Sequence, residues 1–369
     1  MSKFTPFDYQ MMSRAIGLAK RGIYTTSPNP NVGCVIAHEG KVVGEGFHAK
    51  AGEPHAEVHA MRMAGDKARG ATAYVTLEPC SHYGRTPPCS LGLINAGVKK
   101  VVCAMTDPNP KVAGRGFNML REAGIEVEVG LLEQEARTLN PAFLKRMETG
   151  KPFVQLKMAA SIDGQTALAN GRSQWITSTQ ARRDVQHYRA QASAILSTSQ
   201  TVLADDASLN VRWSELPQDV QRHYAETSLR QPVRVILDRA HQLHSELKLY
   251  QSNSSILTVA ETDADICVEL DSHHQLRLDQ LFQMLAAEHN INHVWVEAGA
   301  TLAKSLIEQQ LVDEIILYMA PKIMGADGRG LFGALGLTDM AQAIDLDIKE
   351  LRQVGPDIRV VMTPIWKEE

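Results

Sequence analysis

Short apolar segments alternate with segments of helical periodicity along most of the 369-residue chain. Strands and helices that alternate at this length are typical of an α/β layer with mostly parallel strands. In the first half, the predicted elements cover residues 7–22, 32–37, 41–46, 55–65, 71–79, 99–105, 113–124 and 125–130. The alternation therefore predicts an α/β protein.

A stretch rich in proline and glycine at 141–152 interrupts this pattern, and a new strand-like run follows it. Because a chain of this length suggests two domains of roughly 150 residues or more, we predict domains at 1–147 and 148–369. In the second half, the predicted elements cover residues 179–190, 193–198, 233–238, 255–260, 293–297, 299–310 and 313–319. The polar stretches 214–231 and 261–280 lack a clear pattern, and 214–231 resembles a surface insertion.

Charge and composition limit the classes of partner. The chain has 38 Lys and Arg against 42 Asp and Glu, a formal net charge of −4, and only 5% aromatic residues. A protein that binds nucleic acid relies on surplus basic charge and aromatic stacking, so these values argue against that class. No apolar run approaches the roughly 18 residues of a membrane span. The first ten residues hold no signal-peptide core, so we expect a cytoplasmic protein.

One histidine and two cysteines form the strongest chemical pattern. His55 opens a predicted helix, Cys80 follows a strand, and Cys89 lies nine positions later. This donor set suits tetrahedral zinc with a fourth position for water, and Glu57 can move protons without binding the metal. A metalloprotease motif would need Glu directly after the first His. His59 is expected to be a helix residue rather than a ligand.

The other cysteines fit a plainer interpretation. A buried free cysteine usually acts as a small hydrophobic residue, and this fits Cys34, Cys103 and Cys267, which lie in strand-like runs. It fits Cys80 and Cys89 poorly, because they flank a loop rich in glycine and proline. Five cysteines spread thinly over a long chain also suit a reducing compartment.

The residues of the second half carry weaker signals. A G-x-G-x-x-G string occurs at 328–333, but it neither follows a strand directly nor opens a helix, so the Rossmann interpretation fails. Glu297 ends a strand, and the segment after Gly299 opens a helix whose N–H groups suit a phosphate. Asp205 could equally be a turn or cap residue, and Arg212 a surface cation.

The chain resembles the RibD family of bifunctional riboflavin biosynthesis proteins. The strings that carry the resemblance are TTSPNPNVGCVI, AGEPHAEVHA, YVTLEPCSHYGRTPPC, DPNPKVAGRG, FVQLKMAASIDGQTA, SQWITS, ARRDVQHYRAQ, TVLADDASLNVR and VWVEAGATLAKSLI. The eight residues between the zinc cysteines match the spacing of that family. The resemblance implies an N-terminal cytidine-deaminase-like α/β/α domain and a C-terminal dihydrofolate-reductase-like α/β domain.

The resemblance also implies the first reaction. One Zn²⁺ per chain would be bound by His55, Cys80 and Cys89, and Glu57 would be the catalytic proton shuttle. The substrate would be 2,5-diamino-6-ribosylamino-4(3H)-pyrimidinone 5′-phosphate, which loses its exocyclic amine as ammonia. The expected substrate-binding residues of this half are Asn29, for the pyrimidine edge, and His48 and Arg85, for the phosphate. Arg85 could instead be a solvated loop cation.

The second reaction implied is reduction of the ribosyl group to a ribityl group by NADPH. The cofactor would be lined by Ala159, Trp175, Thr201, Asp205, Gly299, Ala300, Thr301, Leu302, Ala303, Lys304 and Ser305. The substrate would be held by Ser173, Arg189, Leu209, Arg212 and Glu297. Trp175 could instead be a core aromatic residue, and Lys157 and Asp163 either support the fold or orient the sugar.

Two rival interpretations remain open. In one, a deaminase that edits nucleic acid carries a binding module as its second half. In the other, the second half is an assembly or regulatory domain without turnover. The sequence does not define the oligomeric state, although metabolic α/β enzymes are commonly symmetric oligomers, so we expect a homo-oligomer, a dimer or a tetramer.

Overall fold

The computed structural model describes residues 3–83, 87–110 and 112–367, which form two compact units, Met1–Lys151 and Pro152–Glu369. The predicted boundary after residue 147 lies four residues before this division, and it stays a prediction. None of the helices in these ranges is both long and apolar enough to cross a membrane.

The first unit is a five-stranded sheet between helices. Its elements are α1 (Pro6–Ala19), β1 (Gly33–His38), β2 (Lys41–Phe47), α2 (Ala56–Ala64), β3 (Thr72–Val75), α3 (Cys89–Ala96), β4 (Lys100–Cys103), α4 (Arg115–Glu122), β5 (Glu126–Val129), α5 (Glu133–Arg137) and α6 (Pro141–Thr149). The strand order is β2-β1-β3-β4-β5. Alternate residues of β1 enter two different apolar clusters, Cys34 in one and Val35 in the other, so both faces of the sheet are covered.

The expectation of mostly parallel strands is wrong for this unit. The pairs β3–β4 and β4–β5 are parallel, but β1 runs antiparallel to both β2 and β3. For the β1–β2 pair the cause is local, because these strands are joined by only Glu39 and Gly40. Both residues have positive φ, 49° and 75°, which is the backbone of a two-residue hairpin turn.

The second unit is built on a nine-stranded sheet. Its elements are β6 (Phe153–Ser161), β7 (Gln165–Ala167), α7 (Thr179–Gln191), β8 (Ala194–Thr198), α8 (Ser199–Asp205), α9 (Gln218–His223), β9 (Val233–Leu237), β10 (Ile256–Ala260), β11 (Ile266–Cys267), α10 (Leu278–Ala287), β12 (His293–Glu297), α11 (Ala300–Glu308), β13 (Glu314–Ala320), β14 (Arg329–Gly330), β15 (Asp345–Val354) and β16 (Asp357–Ile365). The strand order is β11-β10-β9-β8-β12-β6-β13-β16-β15.

The central strands of this sheet are parallel, and this arrangement positions the second site. Strands β8, β12 and β6 lie side by side in parallel, so their carboxyl ends share one edge of the sheet. Parallel α/β sheets bind ligands at that edge. Buried Trp295 and its neighbour Val296 lie in different apolar clusters, so here too both faces are packed.

Candidate active sites

The three proposed zinc ligands meet in the first unit. His55 is the N-cap of α2, Cys89 is the first residue of α3, and Cys80 lies in the loop after β3. The Nδ1 atom of His55 is 3.7 Å from Sγ of Cys80 and 3.4 Å from Sγ of Cys89. Among the residues that the structure describes, no other group of three His, Cys, Asp or Glu side chains is arranged to hold a metal ion.

The electrostatics of this cluster suit a metal. Hydrogen bonding with Cys89, together with His55, lowers the pKa of Cys80 to about 4, despite partial burial. The hydrogen bond with Cys80, followed by burial, raises the pKa of Cys89. One sulfur therefore ionises readily next to a histidine and a second thiol, and this nitrogen and sulfur donor set fits tetrahedral zinc with one position left for water.

Glu57 lies beside the ligands in the first turn of α2. Its side chain is buried, and its Oε2 atom has no hydrogen-bond partner among the described residues. Burial, followed by the charge of Cys80, raises its pKa from 4.5 to about 7. A carboxyl group with a pKa near neutrality can both accept and donate a proton at the working pH.

Two of the predicted substrate residues form a pair next to His55. The ring of His48 meets the ring of His55 edge-on, with centroids 5.3 Å apart. Nδ1 of His48 lies 3.2 Å from the carbonyl oxygen of Pro54, and Nε2 lies 3.2 Å from Nδ2 of Asn29. Burial lowers the pKa of His48, which favours a neutral ring that accepts from Asn29. The third predicted residue, Arg85, lies outside the described residues.

Two buried carboxyl groups near the zinc cluster were not predicted from the sequence. Glu78 precedes Pro79 and Cys80, and Asp107 lies in the loop after β4. Burial raises the pKa of Asp107 to about 6, and the charge of Cys80 contributes to this shift. Both residues belong to strings that carried the family resemblance, but only their contacts reveal a role.

In the second unit, Glu297 ends β12 at the carboxyl edge of the sheet. Its two carboxylate oxygens accept from Nε and Nη2 of Arg189, at 2.5 and 2.8 Å, and the indole N–H of Trp295 donates to the same group at 2.8 Å. Burial opposes ionisation of Glu297, but the charge and hydrogen bonds of Arg189 outweigh it and lower the pKa to about 2. The structure therefore brings two predicted substrate residues together as an ion pair.

Lys157 faces the same ion pair from the neighbouring strand. It is the registered partner of Glu297 in the parallel pairing of β6 and β12. Burial lowers the pKa of its amine, and the nearby charge of Glu297 opposes this shift. The amine is therefore poised to lose a proton more easily than an exposed lysine.

Several predicted cofactor residues lie around the ends of β8 and β12. Gly299 caps α11, whose first two turns contain residues 300–305, so this helix does begin at the edge of the sheet. Thr201 lies in the first turn of α8, capped by Thr198. Asp205 ends α8 and accepts from Gln174 at 2.7 Å, which brings it beside Trp175. Ala159 lies in β6, where it pairs with Tyr318 of β13.

The structure also distinguishes between the alternative roles considered for Trp175, Asp163 and the glycine-rich string at 328–333. Trp175 is 63% exposed, so it is not a core aromatic residue, and the guanidinium of Arg182 lies 4.4 Å from the centre of its ring. Asp163 accepts hydrogen bonds from the backbone of Met324 and Gly325, which anchors that loop. Residues 329–330 form β14 rather than opening a helix, in agreement with the rejection of a Rossmann motif.

The other predicted substrate residues are spread over the loops of this unit. Ser173 is exposed, while Leu209 is buried with a positive φ of 48°. The guanidinium of Arg212 is half-exposed and pairs with Glu215 at 2.6 and 3.0 Å. Among the described residues, no hydrogen bond or ion pair joins these three side chains to the Glu297 pair.

Comparisons with known proteins match both units. Residues 6–105 match the cytidine and deoxycytidylate deaminase zinc-binding region, and residues 152–360 match the RibD C-terminal domain. The riboflavin biosynthesis protein RibD of Haemophilus influenzae is 52% identical over 370 residues, which cover 99% of each chain.

Two solved structures have the same fold over almost their whole length. RibD of Acinetobacter baumannii is 46% identical, with a TM-score of 0.91, and the match covers 98% of this chain and 99% of that one. A Thermotoga maritima protein described as a diaminohydroxyphosphoribosylaminopyrimidine deaminase and 5-amino-6-(5-phosphoribosylamino)uracil reductase is 34% identical, with a TM-score of 0.83 and coverage of 97% and 99%. The predicted fold class, deaminase-like and then reductase-like, is confirmed.

Proposed function

The chain belongs to the RibD family of riboflavin biosynthesis enzymes, and we propose how its residues divide the two reactions. It is a bifunctional enzyme, a zinc-dependent deaminase joined to an NADPH-dependent reductase. The first reaction removes ammonia from 2,5-diamino-6-ribosylamino-4(3H)-pyrimidinone 5′-phosphate. The second reduces the ribosyl group of the product and gives 5-amino-6-ribitylaminouracil 5′-phosphate.

The observation that carries the first assignment is the meeting of His55, Cys80 and Cys89 beside the buried carboxyl group of Glu57. Zinc, when bound by these three side chains, supplies a Lewis acid that lowers the pKa of a water molecule. Glu57 takes a proton from the attacking water and delivers it to the ring nitrogen. It then transfers a second proton to the amine that departs as ammonia.

Substrate recognition in this half falls to Asn29, His48 and Arg85. The amide of Asn29 offers both a donor and an acceptor for the edge of a pyrimidine. Its contact with the ring of His48 fixes the orientation of both side chains. His48 and Arg85 are assigned to the ribose phosphate, for Arg85 on the family resemblance alone.

NADPH, when bound by the second half, would supply a hydride for C1 of the ribosyl group. The free N–H groups in the first turn of α11 are suited to the cofactor phosphates. Thr201 and Asp205 are assigned to the same cofactor, because they follow β8, which is the neighbour of β12 in the sheet. Trp175 is assigned with them, because the adjacent residue Gln174 donates to Asp205. Ala159 completes the assignment from the neighbouring strand β6.

The reacting sugar is assigned to the side of the sheet edge that holds Glu297. The Arg189–Glu297 pair is proposed to bind it, together with Ser173, Leu209 and Arg212 from the loops of this unit. Reduction breaks the bond between C1 and the ring oxygen, and that oxygen needs a proton. Lys157 is the proposed donor, because its amine faces Glu297 and burial lowers its pKa.

The test is a coupled assay on the zinc-loaded full chain with the diaminopyrimidinone ribosyl phosphate. Ammonia is measured first without NADPH, and absorbance at 340 nm is then followed after NADPH is added. Ammonia release followed by substrate-dependent loss of NADPH is the expected result. Ammonia without NADPH loss would reduce residues 152–369 to a binding or assembly role, and NADPH loss without ammonia would refute the zinc assignment.

The chain is also proposed to form a homo-oligomer through the edge strand β15. This strand ends the nine-stranded sheet, and its apolar residues Leu346, Ile348 and Leu351 are 40%, 60% and 66% exposed. They pair with Pro364, Met362 and Val360 of β16 and therefore share one face of the sheet. Because β15 is an edge strand that also carries an exposed apolar face, a second copy of the chain can pack against it, and a symmetric dimer would cover both features.

Sedimentation of the wild type against the double variant I348K/L351K tests this interface. A dimer or tetramer that falls to monomer in the variant is the expected result, and a wild type that sediments as a monomer would refute it. The proposed compartment is the cytoplasm, because all five cysteines are free and the zinc thiols need reducing conditions.

A further inference from the structure

The carboxylate of Glu78 joins two backbone segments of the first unit. The side chain is 4% exposed, and its residue lies two positions before the zinc ligand Cys80. Its Oε2 atom accepts from the backbone N–H of Asp107 at 3.2 Å and from that of Gly114 at 2.9 Å. Its Oε1 atom accepts from the N–H of Gly116 at 2.9 Å. One buried side chain therefore satisfies three backbone donors that are 29 to 38 residues away.

These donors belong to the described residues 107–110 and 112–116, named loop 107–116 below, which end in the first turn of α4. Gly114 is the N-cap of α4 and Gly116 lies in its first turn, so Glu78 supplies a negative charge where the N–H groups of a helix are free. A Cβ atom on Gly116 would lie only 2.1 Å from the carbonyl oxygen of Pro79. The loop therefore packs directly on the peptide that precedes Cys80.

The peptide that follows Cys80 is held by α3. The carbonyl oxygen of Cys80 accepts from the hydroxyl of Ser90 at 2.9 Å and from its N–H at 3.2 Å. Loop 107–116 also brings Asp107 into electrostatic range of Cys80 and His82. The loop thus borders the zinc cluster, although it supplies none of the three ligands.

We propose that Glu78 is a positioning residue of the deaminase. Its carboxylate holds loop 107–116 against the Pro79–Cys80 peptide, so that this loop keeps a fixed position beside the bound substrate. This inference rests on the deaminase activity assigned above. Without the carboxylate, three backbone N–H groups, two of them buried, lose their acceptor, and the loop must move to find others. The zinc ligands keep their own supports on α2, α3 and Ser90, so zinc binding should survive.

The test compares Glu78→Gln with the wild type in the full chain. The amide keeps the size of the side chain but turns an N–H₂ group towards the backbone donors. We expect KM for deamination to rise and kcat/KM to fall by about tenfold to a hundredfold, as for a misplaced substrate. We also expect unchanged zinc content, unchanged reductase activity and faster hydrogen exchange of the amides in loop 107–116.

Two further variants sharpen the comparison. Gly116→Ala moves the same loop by a clash with Pro79 and should reproduce the rise in KM. Asp8→Asn makes the same chemical change at another helix start, where the carboxylate accepts from Thr5 N–H at 2.8 Å and from the Tyr74 hydroxyl at 2.7 Å. It should leave KM for deamination unchanged.

Two results would overturn the proposal. If kcat/KM of Glu78→Gln stays at the wild-type value while loop exchange is faster, the position of the loop does not matter for substrate. If activity and zinc content fall in proportion, Glu78 acts on the metal site rather than on the loop. A wild type that releases no ammonia would instead refute the deaminase assignment, which a defect confined to the variants would not.

Discussion

At the scale of single residues, Glu57 combines burial, a pKa of about 7 and an oxygen without a partner among the described residues. A buried carboxyl group without a partner is costly for folding, and this agrees with the proposed role of Glu57 as the proton shuttle. The sequence predicts this role from the H-x-E pattern, in which the proposed ligand His55 and Glu57 lie two positions apart, and the role stays a prediction. The pKa could not be predicted, because it depends on burial and on the charge of Cys80.

The first prediction concerns the substitution Glu57→Gln. The amide has nearly the same shape but moves no proton, so ammonia release should fall by about 10²- to 10⁴-fold. Zinc content and NADPH oxidation with the deaminated substrate should stay at wild-type values. Ammonia release within threefold of the wild type would rule out Glu57 as the proton shuttle.

The ion pair of Glu297 leads to a second prediction, on acid stability. Its pKa is about 2 in the folded chain, against an ordinary value of 4.5. A carboxyl group with a lowered pKa stabilises the folded state above its ordinary pKa, and this stability is lost as the pH falls through 4.5 towards 2. From this difference in pKa, about 3 kcal/mol of the stability of the second unit should depend on ionised Glu297.

Unfolding by denaturant at pH 6 and at pH 3 measures about 2 kcal/mol of this contribution, because pH 3 still lies above the pKa of Glu297 in the folded chain. Between these values, the wild type should lose more stability than Glu297→Gln, which has no carboxylate to protonate. The variant should also be less stable at pH 6, because Arg189 remains buried without its partner. Equal losses in the two proteins would mean that Glu297 is not the group responsible.

At the scale of elements, α7 shows how a local signal supports a distant site. Ser178 is its N-cap, whose hydroxyl accepts from Ala181 N–H at 3.2 Å, and Asp357 accepts from Ser178 N–H at 2.8 Å. The far end of the same helix carries Arg189. The start of α7 therefore helps to determine where the guanidinium lies.

Removal of this cap gives a third prediction. Ser178→Ala should lower the free energy of unfolding of the second unit by about 1 kcal/mol, and Ser178→Thr should restore most of it. Thr5→Ala removes the corresponding cap from α1 and should destabilise the first unit instead. Denaturation followed separately by the two activities distinguishes the units. An unchanged midpoint for Ser178→Ala would mean that other contacts hold this helix start.

Elements with a clear period were predicted closely, and the others were missed. The expected helix at 179–190 is α7, and the expected strand at 293–297 is β12. Helix α3 was missed because its sequence, CSLGLINA, is short and apolar on most sides, which gives no helical period. Helix α10 was missed because its apolar face follows a polar stretch without pattern.

At the scale of the whole molecule, the two units have separate apolar clusters and separate predicted sites. The metal ligands all belong to the first unit, and the residues assigned to NADPH all belong to the second. Chemistry that depends on zinc should therefore be removable without loss of the reductase.

Metal removal gives the fourth prediction. A chelator that strips zinc should abolish ammonia release, while NADPH oxidation with the deaminated substrate should continue within twofold of its initial rate. Ammonia release should return when zinc is added back, provided that the thiols of Cys80 and Cys89 have stayed reduced. Loss of both activities on chelation would show that zinc also supports the second unit.

Contacts between residues far apart in the chain could not be predicted from the sequence. The zinc pattern could be found because its residues lie within 35 positions and at fixed spacing. The Arg189–Glu297 contact joins residues 108 positions apart, and the Glu78 contacts depend on how one loop packs against another. Contacts of this kind follow from tertiary packing, which no local period encodes.

The guanidinium of Arg189 has one more consequence. Its Nε and Nη2 donate to Glu297, and its Nη1 donates to the carbonyl oxygen of Asn210 at 2.9 Å. Three of the five N–H donors of an arginine are thus engaged, and two remain for a ligand. A ligand that accepts more than two hydrogen bonds from Arg189 must displace Glu297 or the carbonyl oxygen of Asn210. Such a ligand would exchange one hydrogen bond of Arg189 for another, so the exchange itself would add little affinity. A ligand that displaced a partner without forming an equivalent hydrogen bond would bind much more weakly.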